Sequence, residues 1–163
     1  MSPINPASPR SLHLIMAVGP VVLACVLGAW ITIPNVPLWY AGLAKPPLTP
    51  PNWVFGPAWT ILYALMAFSI YRILRLHAAQ PARKSAIRLF YAQLALNMLW
   101  SFVFFGAHAP ALGLVVIVAL EILIAWMSLS FYRLDRWAGL AQLPYFGWVA
   151  FALWLNAGIW LLA

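Results

Sequence analysis

Charge is what this sequence most lacks. Only 7% of its 163 residues are Asp, Glu, Lys or Arg, and Glu121 and Asp135 are the two acids. A soluble domain carries about a quarter of its residues as charges, because its surface must be hydrated. Nine basic residues and two acids cannot clothe a chain of this size. A soluble enzyme, a nucleic-acid-binding domain and a disordered chain are therefore excluded. Cysteine is nearly absent as well. Cys25 stands alone, which leaves no internal disulfide and no cysteine-based metal cluster. There is no Gly-rich phosphate loop, no Glu-x-x-His pair and no convincing Ser-His-Asp set. What is abundant is apolar: 66% of the residues, at a mean hydropathy of +0.93. An integral membrane protein remains.

A helix needs about 20 residues to cross a ~30 Å hydrocarbon layer. Apolar runs of that length fall at about 12–33, 57–76, 86–106, 110–132 and 138–162. A β-barrel would show short alternating strands instead, so the sequence predicts an all-α, single-domain bundle of five transmembrane helices. The first run is too long for a signal-peptide core and has no A-x-A site after it. With five spans, Arg10, Arg72, Arg75, Arg83, Lys84, Arg88, Arg133 and Arg136 share one side, and only Lys45 lies on the other. The net charge of +7 thus reads as basic loops on one membrane face, not as a nucleic-acid site. It predicts a cytoplasmic N-terminus, and helical hydrophobicity favours a bacterial inner membrane.

The segment 34–56 holds six prolines together with Trp39, Tyr40, Trp53 and Phe55. Loops in compact proteins usually run to ~4–6 residues, and longer ones are commonly functional or disordered. Prolines stiffen the backbone and aromatics seek packing partners, so this loop is expected to fold as a lid over one end of the bundle. An interfacial aromatic belt explains the rings but not the prolines.

Within the third run, Asn97, Trp100 and Ser101 stand at i, i+3 and i+4 and share one helix face. Tyr145, Trp148, Ala152 and Leu155 form a similar stripe on the fifth. An amide in the bilayer core needs a partner. Spacing leaves two readings open for Asn97, interhelical bonding or the lining of an aromatic pocket.

Three motifs give the chain a family likeness. Trp39-Tyr40-x-x-Leu43-x-Lys45-Pro46 runs on to Pro50-Pro51-x-Trp53-x-Phe55-x-Pro57-x-Trp59. Leu96-Asn97-x-x-Trp100-Ser101-x-x-Phe104-Phe105 follows in the third run. Pro144-Tyr145-x-x-Trp148-x-x-Phe151-Ala152-x-x-Leu155-Asn156 lies in the fifth. Together they resemble the TspO/MBR family of translocator and tryptophan-rich sensory proteins, from Leu12 to the end. The resemblance implies a pocket for tetrapyrroles such as protoporphyrin IX and haem, and in some members for cholesterol or benzodiazepine-type drugs. It associates Trp59, Asn97, Trp148 and Ala152 with the ligand. Adding the lid aromatics and the two helical stripes, the expected contacts are Trp39, Tyr40, Phe55, Trp59, Asn97, Trp100, Tyr145, Trp148, Ala152 and Leu155. No cofactor and no metal are expected, porphyrin or haem being the ligand.

The remaining polar residues carry weaker expectations. Glu121, near the middle of the fourth run, is expected to hydrogen-bond between helices, since a carboxylate there costs about 2.5–3.5 kcal/mol on insertion scales. His13, His77 and His108 are not placed as haem ligands. The patterns Leu65…Tyr71…Arg75 and Leu129…Tyr132…Arg136 fit a sterol motif too permissive to carry weight. The sterol motif of the animal members has no counterpart at the end of this chain. Ala24-x-x-x-Gly28, and Ala92 with Ala95, offer small faces for helix approach, and the resemblance implies a homodimer.

The functional expectation is a membrane receptor or carrier for flat apolar ligands, in contact with the lipid bilayer and not with nucleic acid. The alternatives are a light- and oxygen-dependent porphyrin-degrading enzyme acting through Trp59 and Trp148, and a small-molecule exporter.

Overall fold

The computed structural model describes residues 9–163, and helices make up nearly all of that span. The first helix, α1, is Arg10–Leu38, and α2 is Phe55–Leu74. Helix α3 is Pro81–Ser101 and continues as a π-helical turn over Phe102–Gly106. Helix α4 is Pro110–Leu134, α5 is the short Arg136–Leu140, and α6 is Leu143–Leu162. Among the described residues there is no strand, and five helical segments are long and apolar enough to cross a membrane. The protein is an integral, multi-pass membrane protein.

Helix α1 outruns its sequence-based end at 33 and takes in Pro34 and Pro37. Each proline lacks the N–H that would bond four residues back. Both are exposed, and Pro37 borders the space enclosed between the helices and the lid. Beside the prolines Asn35 donates its side-chain amide to the Ile31 carbonyl at 2.8 Å, and Trp39 N–H closes the last turn on Asn35 at 3.0 Å. The lid is correspondingly shorter and runs from Trp39 to the start of α2.

That lid is folded. A 3₁₀ turn at Tyr40–Gly42 and another at Asn52–Val54 bracket it. Lys45 Nζ donates to the carbonyls of Ala41 and Leu43 at 3.1 and 3.0 Å and sits over the Tyr40 ring at 4.9 Å. Thr49 bonds the Pro46 carbonyl at 2.7 Å. Pro46 is buried against α6 at Gly158, while Leu48 at the tip holds a φ of 67° that branched apolar residues rarely adopt.

The fifth run does not form one helix. Pro144 has no N–H for the Leu140 carbonyl, and the chain turns at Ala141–Gln142 before α6 begins. Asp135 caps α5, accepting from the N–H groups of Trp137 and Ala138 at 2.9 and 3.0 Å. The same carboxylate pairs with Arg72 of α2 at 2.7 Å. Burial pushes the Asp135 carboxyl upward, but the Arg72 bond and charge and the two backbone N–H groups outweigh it and hold it below the usual range. A Cβ on Gly139 would lie 2.5 Å from Tyr132, so only glycine lets α5 fold back on α4.

Helix α1 packs on α2 and α3, α4 packs on α3 and α6, and α5 ties α2 to α4. The core is built from Met66, Ile70, Ile73, Phe90, Ile124, Met127 and Phe131, each fully buried. It fills the half of the bundle next to the basic end. Toward the lid the helices part around a void.

Candidate functional site

The void is a cavity of about 660 Å³. Helix α1 supplies Cys25, Gly28, Ala29, Thr32 and Val36, and α2 supplies Phe55, Trp59, Thr60 and Tyr63. Trp100, Ser101, Phe104 and Phe105 close the α3 side, with Trp148, Ala152, Leu155 and Asn156 on α6. Tyr40, Asn52 and Trp53 of the lid complete it. No charged residue is among these. Burial holds the Tyr40 phenol above its ordinary pKa, so it stays protonated.

The rings are fixed by one another. Trp148 meets Phe55 edge to face at 5.9 Å, and Trp59 lies against Tyr63 at 5.5 Å and Tyr145 at 6.3 Å. Trp100 stacks on Phe104 at 5.3 Å. Its indole N–H is held by Asn156 Oδ1 at 3.1 Å, and Asn156 in turn donates to the Pro110 carbonyl at 2.7 Å. The π-turn matters here. Its Ala107 N–H reaches back five residues to Phe102 at 2.8 Å, and Phe104 and Phe105, adjacent in sequence, are both turned into the bundle.

Seven of the ten expected contacts meet at this cavity: Tyr40, Phe55, Trp59, Trp100, Trp148, Ala152 and Leu155. Trp39, Asn97 and Tyr145 stand behind its wall. Trp39 packs edge-on against Phe104 and Phe105 at 5.4 and 6.4 Å and stacks on His108 at 4.5 Å. His108 Nε2 lies 2.8 Å from Asn35 Oδ1, so this trio ties the end of α1 to the turn before α4. Asn97 and Tyr145 are buried one layer beneath, where Tyr63 donates to Asn97 Oδ1 at 3.3 Å. Asn97 donates to the Tyr145 oxygen at 2.9 Å, and Tyr145 to Gln93 Oε1 at 2.9 Å. Of the two readings left open for Asn97, the interhelical one describes where it sits.

Two expectations are corrected. The Ala24 and Gly28 face of α1 is turned inward, Ala24 being buried and Gly28 having the Tyr63 hydroxyl 3.6 Å from where a Cβ would stand. Intramolecular packing uses it. Glu121 forms no interhelical hydrogen bond, since both its oxygens are buried without a partner among the described residues.

Sequence reasoning missed the α1 wall, Phe104 with Phe105, and Asn156. The α1 residues did carry a signal, since Cys25, Gly28, Ala29, Thr32 and Val36 recur at helical spacing. The π-turn carried none. Among the described residues, no three of His, Cys, Asp and Glu are grouped to hold a metal ion.

Residues 16–161 match the profile of the TspO/MBR family. The chain is 42% identical over 151 residues to the tryptophan-rich protein TspO of Archaeoglobus fulgidus, covering 93% of this chain and 97% of that one. It is 40% identical to the tryptophan-rich sensory protein of Cereibacter sphaeroides over 118 residues, 72% of each chain. It is 33% identical to the human translocator protein over 139 residues, covering 85% of this chain and 82% of the other. The chain belongs to the TspO/MBR family.

Proposed function

We propose that this protein is a membrane receptor or carrier for a large, flat, apolar ligand of the porphyrin class, protoporphyrin IX or haem, with drug-like planar molecules as substitutes. The observation that carries the reading is a cavity of about 660 Å³ with Trp59, Trp100 and Trp148 in its wall and no charge. Sites for small molecules run to ~300–1,000 Å³ and are mostly apolar with a few polar groups. Indole faces stack on a conjugated ring for about 0.5–1.5 kcal/mol per pair beyond the buried area. Lys45, held over the ring of the cavity residue Tyr40, is the cation of the lid and suits a ligand carboxylate. The relatives' names speak of sensing and of translocation. Both fit a binder better than a hydrolase.

The same reading places the N-terminus in the cytoplasm of a bacterial inner membrane. Its support is the set of eight basic residues at the end of the bundle away from the lid. Ala92 and Ala95, exposed on α3, offer a face for a homodimer.

Titrating protoporphyrin IX into the purified protein while following tryptophan quenching tests the binding claim. Saturable quenching that weakens in Trp148→Phe is expected. Unsaturable quenching, equal in Trp148→Phe and Trp59→Phe, overturns it.

The enzymatic alternative draws on one observation, that Trp59 and Trp148 face the same cavity. If these indoles take part in photo-oxidation, replacing both with Phe abolishes the light- and oxygen-dependent loss of porphyrin absorbance even at porphyrin concentrations that saturate the variant. Wild-type protein that leaves that absorbance unchanged under light and oxygen rules the alternative out.

A further inference from the structure

Three hydrogen bonds beneath the cavity all run the same way. Tyr63, whose side chain is part of the cavity wall, donates to Asn97. Asn97 donates to Tyr145, and Tyr145 to Gln93. Each donor points away from the cavity. The sequence of bonds ends at Gln93 Nε2, a donor on a fully buried side chain with no acceptor among the described residues. On α4 both Glu121 oxygens are buried acceptors with no donor among the described residues. Helices α3 and α4 pack against each other, so Gln93 and Glu121 belong to neighbouring helices. An orphaned donor and an orphaned acceptor in one membrane core each carry a desolvation cost, which one internal water or a change of rotamer removes.

Nothing in the shapes of these groups fixes the direction of donation. An amide can turn over and exchange its oxygen and nitrogen, and a hydroxyl can rotate. The end group decides. Ionised Glu121 only accepts, so Gln93 must donate toward it and every bond behind must point the same way. Tyr63 then spends its hydrogen inward and shows the cavity a lone pair. Protonated Glu121 can donate to Gln93 Oε1. Gln93 Nε2 then donates to Tyr145, Tyr145 to Asn97 Oδ1, and Asn97 Nδ2 to the Tyr63 oxygen. The Tyr63 hydrogen is released toward the cavity. One proton is gained at Glu121, and none crosses an amide.

We propose that Glu121 sets the hydrogen-bonding polarity of the cavity floor through this relay: ionised, it makes Tyr63 an acceptor for ligands bearing N–H or O–H, and protonated, it frees Tyr63 to donate to ligands bearing a carbonyl or carboxylate. Glu121 is thus a positioning residue, and the proposal rests on reading the cavity as a ligand site. The groups that face it leave Glu121 as the one that changes charge. Helix α6 presents Tyr145, with Tyr63 of α2 behind it, and a phenol is a far weaker acid than a carboxyl. Helix α3 presents the amides Gln93 and Asn97 at this level, its Arg83, Lys84 and Arg88 lying in its first turns. Arg136 of α5 is exposed at the basic end.

Three planar tricyclic probes of similar size separate the states: carbazole carries an N–H, fluorenone a carbonyl, and fluorene neither. Their affinities are measured from low to high pH by tryptophan quenching in competition with protoporphyrin IX. The infrared carboxyl band of Glu121, assigned by its loss in Glu121→Gln, marks where that group titrates. As Glu121 protonates, the fluorenone-to-carbazole preference is expected to rise by about three- to tenfold, the worth of one net hydrogen bond, with fluorene unchanged. The preference becomes pH-independent in Glu121→Gln and is lost in Tyr63→Phe. A preference independent of pH in the wild type, or a pH dependence that survives in Glu121→Gln, overturns the proposal. In ligand-free protein the C–O stretching band of Tyr63, assigned with Tyr63→Phe, is expected to shift in step with the Glu121 band. A Tyr63 band that ignores Glu121 overturns the relay without any ligand. Failure of all three probes to compete, with that band still shifting, sinks the ligand-site reading and leaves the relay standing.

Discussion

Pro46 of the lid lies so close to α6 that a Cβ built on Gly158 would stand 2.6 Å from its Cγ and 2.8 Å from its Cβ. A proline ring cannot fold away as a long side chain can, so Gly158→Ala must push the lid off the helix. Overpacking of this kind costs about 1–3 kcal/mol. The expected outcome is a lower melting temperature in detergent and faster release of bound porphyrin. Gly147→Ala is the control, because nothing lies within 4 Å of its added methyl. Equal behaviour of the two variants would show that the lid is not pinned at this point.

Cys25 is the sole cysteine of the chain and lines the cavity from α1. It is therefore a native probe of occupancy. A small, membrane-permeant maleimide is expected to label it in ligand-free protein, and saturating protoporphyrin IX to slow that labelling at least about tenfold, as occlusion from an attacking reagent requires. Labelling unchanged at saturation would mean that the ligand binds elsewhere.

Asp135 links pH to stability at the basic end. Its carboxyl is held below the usual range in the folded protein, chiefly by Arg72 and two backbone N–H groups that overcome the effect of burial. A depressed carboxyl favours folding above its unfolded pKa of about 3.9, and that contribution is lost as pH falls through the folded value. Melting temperature should therefore drop on acidification below about pH 4. Asp135→Asn, which can still cap α5 but carries no charge for Arg72, should start lower and change less over the same window. Parallel curves for wild type and variant would remove the ion pair from the account.

How much of this was readable beforehand follows from what each feature depends on. The five spans were legible because bilayer thickness demands long apolar runs and the basic residues sort to one side. Trp59, Trp148 and Ala152 were legible through motif and spacing. Pro34 and Pro37 misled, because the helix runs on through both to Leu38, its last turn closed by Trp39 N–H on the Asn35 carbonyl. Trp39 and His108 could not be paired from sequence, being 69 positions apart and joined only when α1 and α3 end at the same level. The π-turn was invisible, since one extra residue in a turn leaves no mark in composition. Asn97 and Trp100 share a helix face, yet one sits behind the wall and the other in it. Which applies depends on the rotation of α3 against α2 and α6.

Ala152 offers a test that separates the cavity from the rings around it. Its methyl is buried in the wall, and a larger side chain there can grow into the 660 Å³ void and not into packed core. Filling apolar space is favourable, with a buried aromatic ring contributing about 1.5–3 kcal/mol when it meets no obstruction. Ala152→Phe should therefore keep or raise the melting temperature while weakening porphyrin binding by at least about tenfold, since ligand and ring compete for one volume. Trp148→Phe should do the reverse, weakening binding less while loosening the contact with Phe55. A variant that is fully stable and still binds like the wild type would place the ligand outside this space. Lost binding with stability intact fits occlusion of the cavity, because general unfolding would lower both together.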